Sequence, residues 1–117
     1  VEVDVRATKD GVLILWHDAT IKRLTGRRKA VDHLDFEALA ALPLKLPKRM
    51  RIPPARVAML EALFAQAQGM RLFLEIKHPS CALHVAGAVR RAVEGKTLLP
   101  GQAMLIGFDH AALSKVK

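Results

Sequence analysis

Apolar and polar residues alternate along VEVDV at positions 1–5, so Val1, Val3 and Val5 face one side of a strand and Glu2 and Asp4 the other. TKDG at 8–11 reads as a turn, and VLILW at 12–16 as a second strand that ends on His17-Asp18. Positions 19–31 are polar, basic and glycine-marked, which predicts a loop. LDFEALAAL at 34–42 has a short helical pattern, with Asp35 placed to cap it and Pro43 and Pro47 to stop it. Pro53-Pro54 predicts the opening of another helix, in which Val57, Leu60, Phe64 and Ala67 form an apolar face and Gly69 marks the end. RLFLEIK at 71–77 predicts a strand, broken by Pro79. A second amphipathic helix is expected from Cys81 to Glu94, with Val85, Ala86, Val89 and Val93 on one side and Gly95 closing it. After the turn residues Pro100-Gly101, AMLIGFD predicts a further strand and HAALSKVK the start of a helix.

The later half therefore alternates helix and strand, which implies parallel strands covered by helices. Its strands are nearly continuous apolar runs, as expected where both faces of a sheet are buried. The fold class is α/β, either a barrel or a doubly wound sheet. No GxGxxG or GxxxxGK[ST] loop follows any strand, which favours the barrel.

Composition narrows this further. A chain of 117 residues, half hydrophobic and a quarter charged, suits one domain and not two. No apolar run reaches the ~20 residues of a membrane helix, and acidic residues interrupt the first apolar run, unlike a signal peptide. The single cysteine, Cys81, excludes an internal disulfide and fits a reducing compartment, so a cytoplasmic location is expected. The net charge is +8, and nine of the nineteen Lys and Arg lie between Lys22 and Arg51. A solvated basic loop is the first reading of that cluster, and steering of an anionic substrate the second. Nucleic-acid binding comes last, because no aromatics interleave the basic residues.

Taken alone, Glu2 and Asp4 read as the solvated face of a strand. Glu75 and Lys77 repeat the two-residue spacing at the end of another strand, where barrel enzymes assemble their sites. With His17-Asp18 ending a third, Glu2, Asp4, His17, Glu75 and Lys77 are expected to converge on one rim. Two carboxylates ~4 Å apart repel by about 4 kcal/mol at an effective dielectric of ~20. Three need compensation beyond the one charge of Lys77, and a hard divalent cation, Mg²⁺ or Ca²⁺, supplies it. A phosphate ester is the substrate class such an ion serves best.

VEVDVRATKDGVLILWHDATIKRLTG resembles the core of the glycerophosphodiester phosphodiesterase family. That family's pattern is an E-x-D strand, a T-x-D-G turn, a strand ending in His-Asp and a threonine-glycine loop. Here these are Glu2 and Asp4, Thr8 to Gly11, His17-Asp18, and Arg23 to Gly26. Ile52-Pro53 resembles the family's Ile-Pro-Thr-Leu helix start with Pro54 in place of Thr. LEIK resembles its metal-and-phosphate strand, and GFDHAAL its Ser-Phe-Asp strand end with Gly107 in place of Ser.

The resemblance implies a TIM-type barrel, with one divalent metal held by Glu2, Asp4 and Glu75. It implies hydrolysis of glycerophosphodiesters to glycerol 3-phosphate and an alcohol, with His17 in a histidine acid–base pair and Lys77 on a phosphate oxygen. A whole barrel takes ~250 residues, and the family's first strand, ending in His-Arg-Gly, precedes the E-x-D strand. The chain is thus expected to be a fragment of one such domain, roughly its second to fifth strands. A half barrel with open sheet edges is expected to self-associate.

Around that set, Asp18 is a candidate to orient His17, and His78 to approach the metal or substrate. Phe108 is a candidate pocket residue, with core packing equally compatible. Trp16 reads as packing in the barrel wall and Cys81 as a buried structural thiol. His33, His84 and His110 read as surface or helix residues. The alternative functions are a non-catalytic half barrel, a sphingolipid phospholipase D-type enzyme, against which the single cysteine speaks, and a nucleic-acid binder.

Overall fold

Strand β1 (Glu2–Ala7) forms the axis of a four-stranded sheet of order β2-β1-β3-β4, completed by β2 (Leu13–Leu15), β3 (Leu72–Ile76) and β4 (Ala103–Ile106). These come from a computed structural model, which describes residues 1–44 and 56–107. The expected helix start at Pro53-Pro54, the Ile52-Pro53 match, Phe108, His110 and the terminal helix lie outside the described residues.

β1, β3 and β4 run parallel, with Asp4 opposite Glu75 and Leu74 opposite Leu105. This is the arrangement expected of strands joined through helices. β2 differs, because it pairs antiparallel to β1, with Val5 opposite Leu15. The five-residue connection from Thr8 to Val12 is too short for a parallel crossover, so the two strands form a hairpin. Three of the four strands are therefore of barrel type, and the one that leads into His17 folds back along β1.

The TKDG turn closes this hairpin through its own side chains. Thr8 is buried, and its Oγ1 accepts from Val12 N at 3.1 Å and donates to Asp10 Oδ1 at 2.6 Å. Gly11 takes a φ of 81°, a left-handed backbone that glycine adopts without strain.

Segment 19–31, expected to be loop throughout, contains a four-residue helix, α1 (Lys22–Thr25), ended by Gly26 in the left-handed region. A bridge between Thr20 and Ala30 pins the base of this excursion. The helix expected at 34–42 is present as α2 (Phe36–Ala40). Asp35 occupies its N-cap position without a side-chain cap bond. Asp10 substitutes for it, its Oδ1 accepting from Phe36 N at 2.9 Å.

The next helix, α3 (Leu60–Gln66), starts later than the apolar periodicity suggested. Met59 and Ala58 are instead extended and pair with Ile14 and Leu15 on the outer edge of β2. The long helix α4 (Ala82–Glu94) follows β3 as expected. Its buried face is centred on Val85, Ala88 and Ala92, with Val89 and Val93 at the margin, so it is rotated slightly from the expected one.

Alternation along the strands divides the sheet into two faces. Val5, Leu72, Leu74 and Ile76 pack with Leu60 and Phe64 of α3 and Val85 of α4. A second core, of Ile14, Trp16, Ile21, Val31, Leu39 and Val57, lies under the 19–44 excursion. Burying side chains of this size stabilises the fold by roughly 1.5–3 kcal/mol each. The opposite face of β1 and β3 bears Glu2, Asp4, Arg6, Glu75 and Lys77.

Candidate functional site

Because β1 and β3 are in register, the carboxylates on their free face meet. Glu2, Asp4 and Glu75 offer ligand oxygens that all lie within 4.8 Å of one another. Glu2 is exposed, whereas Asp4 and Glu75 are half-buried. Lys77 Nζ stands 3.0 Å from Glu75 Oε1 and 3.6 Å from Asp4 Oδ1. The hydrogen bond from Lys77 holds the Glu75 carboxyl below its usual range, against the opposing effect of partial burial. The same bond raises the Lys77 ammonium above its ordinary value.

One ammonium among three carboxylates leaves the formal charge of the cluster negative. A cation bonded at ~2.0–2.6 Å keeps its ligand oxygens within roughly 5 Å of one another, which is the spacing found here. The donor set is all oxygen and anionic, so it fits a hard divalent ion better than a soft one. Glu2, Asp4 and Glu75 are the residues that would hold it.

His17 reaches the same region from β2. The Trp16 amide donates to the Asp4 carbonyl at 3.0 Å, which places His17 beside the start of β1. His17 and Asp4 share a cleft of about 340 Å³ with Trp16, Leu24 and Val57. The imidazole is 60 % exposed, and its Nδ1 lies 2.9 Å from Asp18 Oδ1. Asp18 in turn accepts from Arg23 Nε at 2.8 Å. Arg23 first, and His17 second, hold the Asp18 carboxyl below its usual range.

The remaining candidates divide. His78 stands apart from the carboxylates, its Nδ1 turned 2.7 Å from Ser80 Oγ. Trp16 is buried as expected, its indole N–H donating to the Thr20 carbonyl. Cys81 is buried, its Sγ bonds the His78 carbonyl at 3.1 Å, and burial pushes its thiol up. His33 is exposed, whereas His84 lines a separate outer cleft with Glu61 and Arg91.

Arg6 is the residue that reading by motif passed over. It continues the alternation of Glu2 and Asp4, so it shares their face, and its Nε donates to the His17 carbonyl at 3.1 Å. The two-residue period was the signal that could have found it.

Among the described residues, no helix is long and apolar enough to cross a membrane. Comparison with known proteins is consistent throughout. A curated relative, probable glycerophosphodiester phosphodiesterase 2 of Mycobacterium tuberculosis, is 31 % identical over 101 residues, which make up 86 % of this chain and 36 % of that protein. The crystal structure of glycerophosphodiester phosphodiesterase from Agrobacterium tumefaciens matches with a TM-score of 0.76 and 26 % identity, over 98 % of this chain and 47 % of its own. A phosphodiesterase of Oleispira antarctica, solved in complex with the product sn-glycerol-3-phosphate, matches with a TM-score of 0.79 at 20 % identity, over 97 % of this chain and 47 % of its own. The chain thus spans about a third of that curated relative and about half of these solved structures, and its fold is about half of their TIM-type barrel. The family model for glycerophosphoryl diester phosphodiesterases matches residues 1–117, and the chain belongs to that family.

Proposed function

We propose that this chain supplies part of the active site of a divalent-metal-dependent phosphodiesterase, which hydrolyses glycerophosphodiesters to glycerol 3-phosphate and an alcohol in phospholipid degradation. The observation that carries the reading is the convergence of Glu2, Asp4 and Glu75 within 4.8 Å, with Lys77 at their side. Family membership and the glycerol phosphate bound by the Oleispira relative support the substrate class. When bound, Mg²⁺ or Ca²⁺ would polarise the phosphodiester and lower the pKa of an attacking oxygen.

The chain's own residues account for the rest. Lys77, held by Glu75 and Asp4, presents its remaining N–H groups to a non-bridging phosphate oxygen. The contact of His17 Nδ1 with Asp18 favours a proton on that nitrogen. Nε2 is then left to exchange a proton with the attacking or the leaving oxygen. Asp18, itself fixed by Arg23, orients the ring and takes no part in bond-making.

Further readings rest on the same frame. The outer edge of β4 has no strand partner among the described residues, which supports continuation of the barrel by further strands of one domain or by a second copy. The lone cysteine supports a cytoplasmic location.

The test is turnover of glycerophosphocholine by the full-length protein with added Mg²⁺ or Ca²⁺. Metal-dependent release of glycerol 3-phosphate is expected, and its loss in Glu75→Ala. Turnover that persists in Glu75→Ala would sink the metal mechanism. Metal binding without turnover would return the non-catalytic half barrel.

A further inference from the structure

A cavity of about 170 Å³ lies past the ends of β1 and β3, lined by Arg6, Thr20, Asp32, His78, Ser80 and Cys81 among others. We propose that it is a headgroup subsite for a small zwitterionic alcohol, the seryl group of glycerophosphoserine. The proposal rests on the phosphodiesterase reading and names the substrate that the site would favour.

Position comes first. Arg6 follows Asp4 by two residues on the same strand face, ~7 Å further along β1. His78 directly follows Lys77. The cavity therefore adjoins the strand end that carries Lys77, and the alcohol side of a diester held there is the part assigned to it. Complete ligand pockets run to roughly 300–1,000 Å³, so the cavity suits one small substituent and not a whole diester.

Charge comes second. Arg6 spends its Nε on the His17 carbonyl, which fixes the side chain and leaves the terminal N–H groups of the guanidinium. Those groups form the planar fork that matches a carboxylate. Asp32, on the short 3-10 turn Val31–His33, brings an opposite charge to the same cavity. A seryl headgroup carries one carboxylate and one ammonium, so it complements Arg6 and Asp32 together. Choline and ethanolamine offer nothing to Arg6. Among the described residues the lining holds no Trp, Tyr or Phe, so none of them offers a trimethylammonium group an aromatic cage.

Rigidity comes third. Ser80 is held by His78 through both its hydroxyl, at 2.7 Å, and its amide, at 3.2 Å. Cys81, with 1 % of its surface exposed, packs beneath them. The wall opposite Arg6 is thereby set before a ligand arrives.

The experiment compares glycerophosphoserine with glycerophosphocholine on the full-length protein loaded with Mg²⁺ or Ca²⁺. Both kcat/KM and calorimetric affinity are measured. The serine diester is expected to be preferred at least about tenfold, because an analogue lacking a group that the site binds leaves its polar partners unpaired. Arg6→Gln and the exposed-site variant Asp32→Asn are each expected to bring that ratio down to within about twofold of unity. A wild-type preference below twofold, or a preference intact in both variants, overturns the subsite. If neither diester is turned over, the phosphodiesterase reading falls, and the calorimetric ratio still decides the subsite.

Discussion

Asp4 and Glu75 are register partners across the parallel β1–β3 ladder, and the Nζ of Lys77 stands within 4 Å of both carboxylates. Seventy residues of sequence separate the pair, yet the ladder sets their spacing. The ladder's hydrogen bonds therefore set the geometry of the site as much as its side chains do.

The first consequence is thermal. Three carboxylates against one ammonium repel in the folded state, and a bound divalent ion relieves that repulsion. Adding Mg²⁺ or Ca²⁺ should raise Tm, and a chelator should reverse the change. At a hundredfold excess over Kd the gain is about 2.7 kcal/mol. A scanning-calorimetry Tm that ignores the ion would refute an ion site at Glu2, Asp4 and Glu75.

Lys77→Met separates two roles. Removing the ammonium makes the cluster more negative, so the affinity for the divalent ion should stay or rise. Turnover should fall by roughly 10²–10³-fold, the usual cost of losing one donor to developing charge. A calorimetric Kd alongside kcat reads both, and a parallel loss of metal would show that Lys77 organises the ligands instead.

His17→Ala should lower kcat by about 10²–10⁴-fold with little change in metal affinity, as for loss of a proton-transfer group. Asp18→Asn should cost less and shift the pH–rate profile, because Asp18 touches only Nδ1 of the ring. An unshifted profile in Asp18→Asn would remove it from the orientation of His17.

Asp10 gives a pH signature outside the site. The Thr8 hydroxyl first, and the Phe36 amide next, hold its carboxyl below the ordinary value of 3.8. A lowered folded pKa means that the stabilisation is fully present above that ordinary value and disappears as pH falls through the lowered one. Asp10→Asn should therefore lower Tm at neutral pH, with the gap closing in strong acid. An equal deficit at both pH values would mean that the charge does no capping.

Much of this was legible because strand periodicity is simple. Alternation put Glu2 and Asp4 on one face and paired them in kind with Glu75 and Lys77, and family motifs supplied the partner segment. What failed was local choice decided by distant chain. Asp35 looked like the helix cap, but Asp10 caps from 26 residues away, through a hairpin turn whose fold alternation does not report. Val57 kept its burial and lost its helix, because Ala58 and Met59 pair with β2. Arg6 obeyed the same alternation as the acids but lay outside the motif, so a reading guided by motif left it out.

The antiparallel hairpin has a consequence in time. β1 and β2 close over five residues, and hairpins form in about 1–10 μs. β3 leaves the ribosome later, since some 65 residues separate the end of β1 from its start, a delay on the order of ten seconds at typical rates of synthesis. His17 and Asp4 are therefore neighbours long before Glu75 and Lys77 exist. During that interval Glu2 and Asp4 offer only two of the three carboxylates, so a divalent ion that needs all three would be captured only after β3 has joined the sheet.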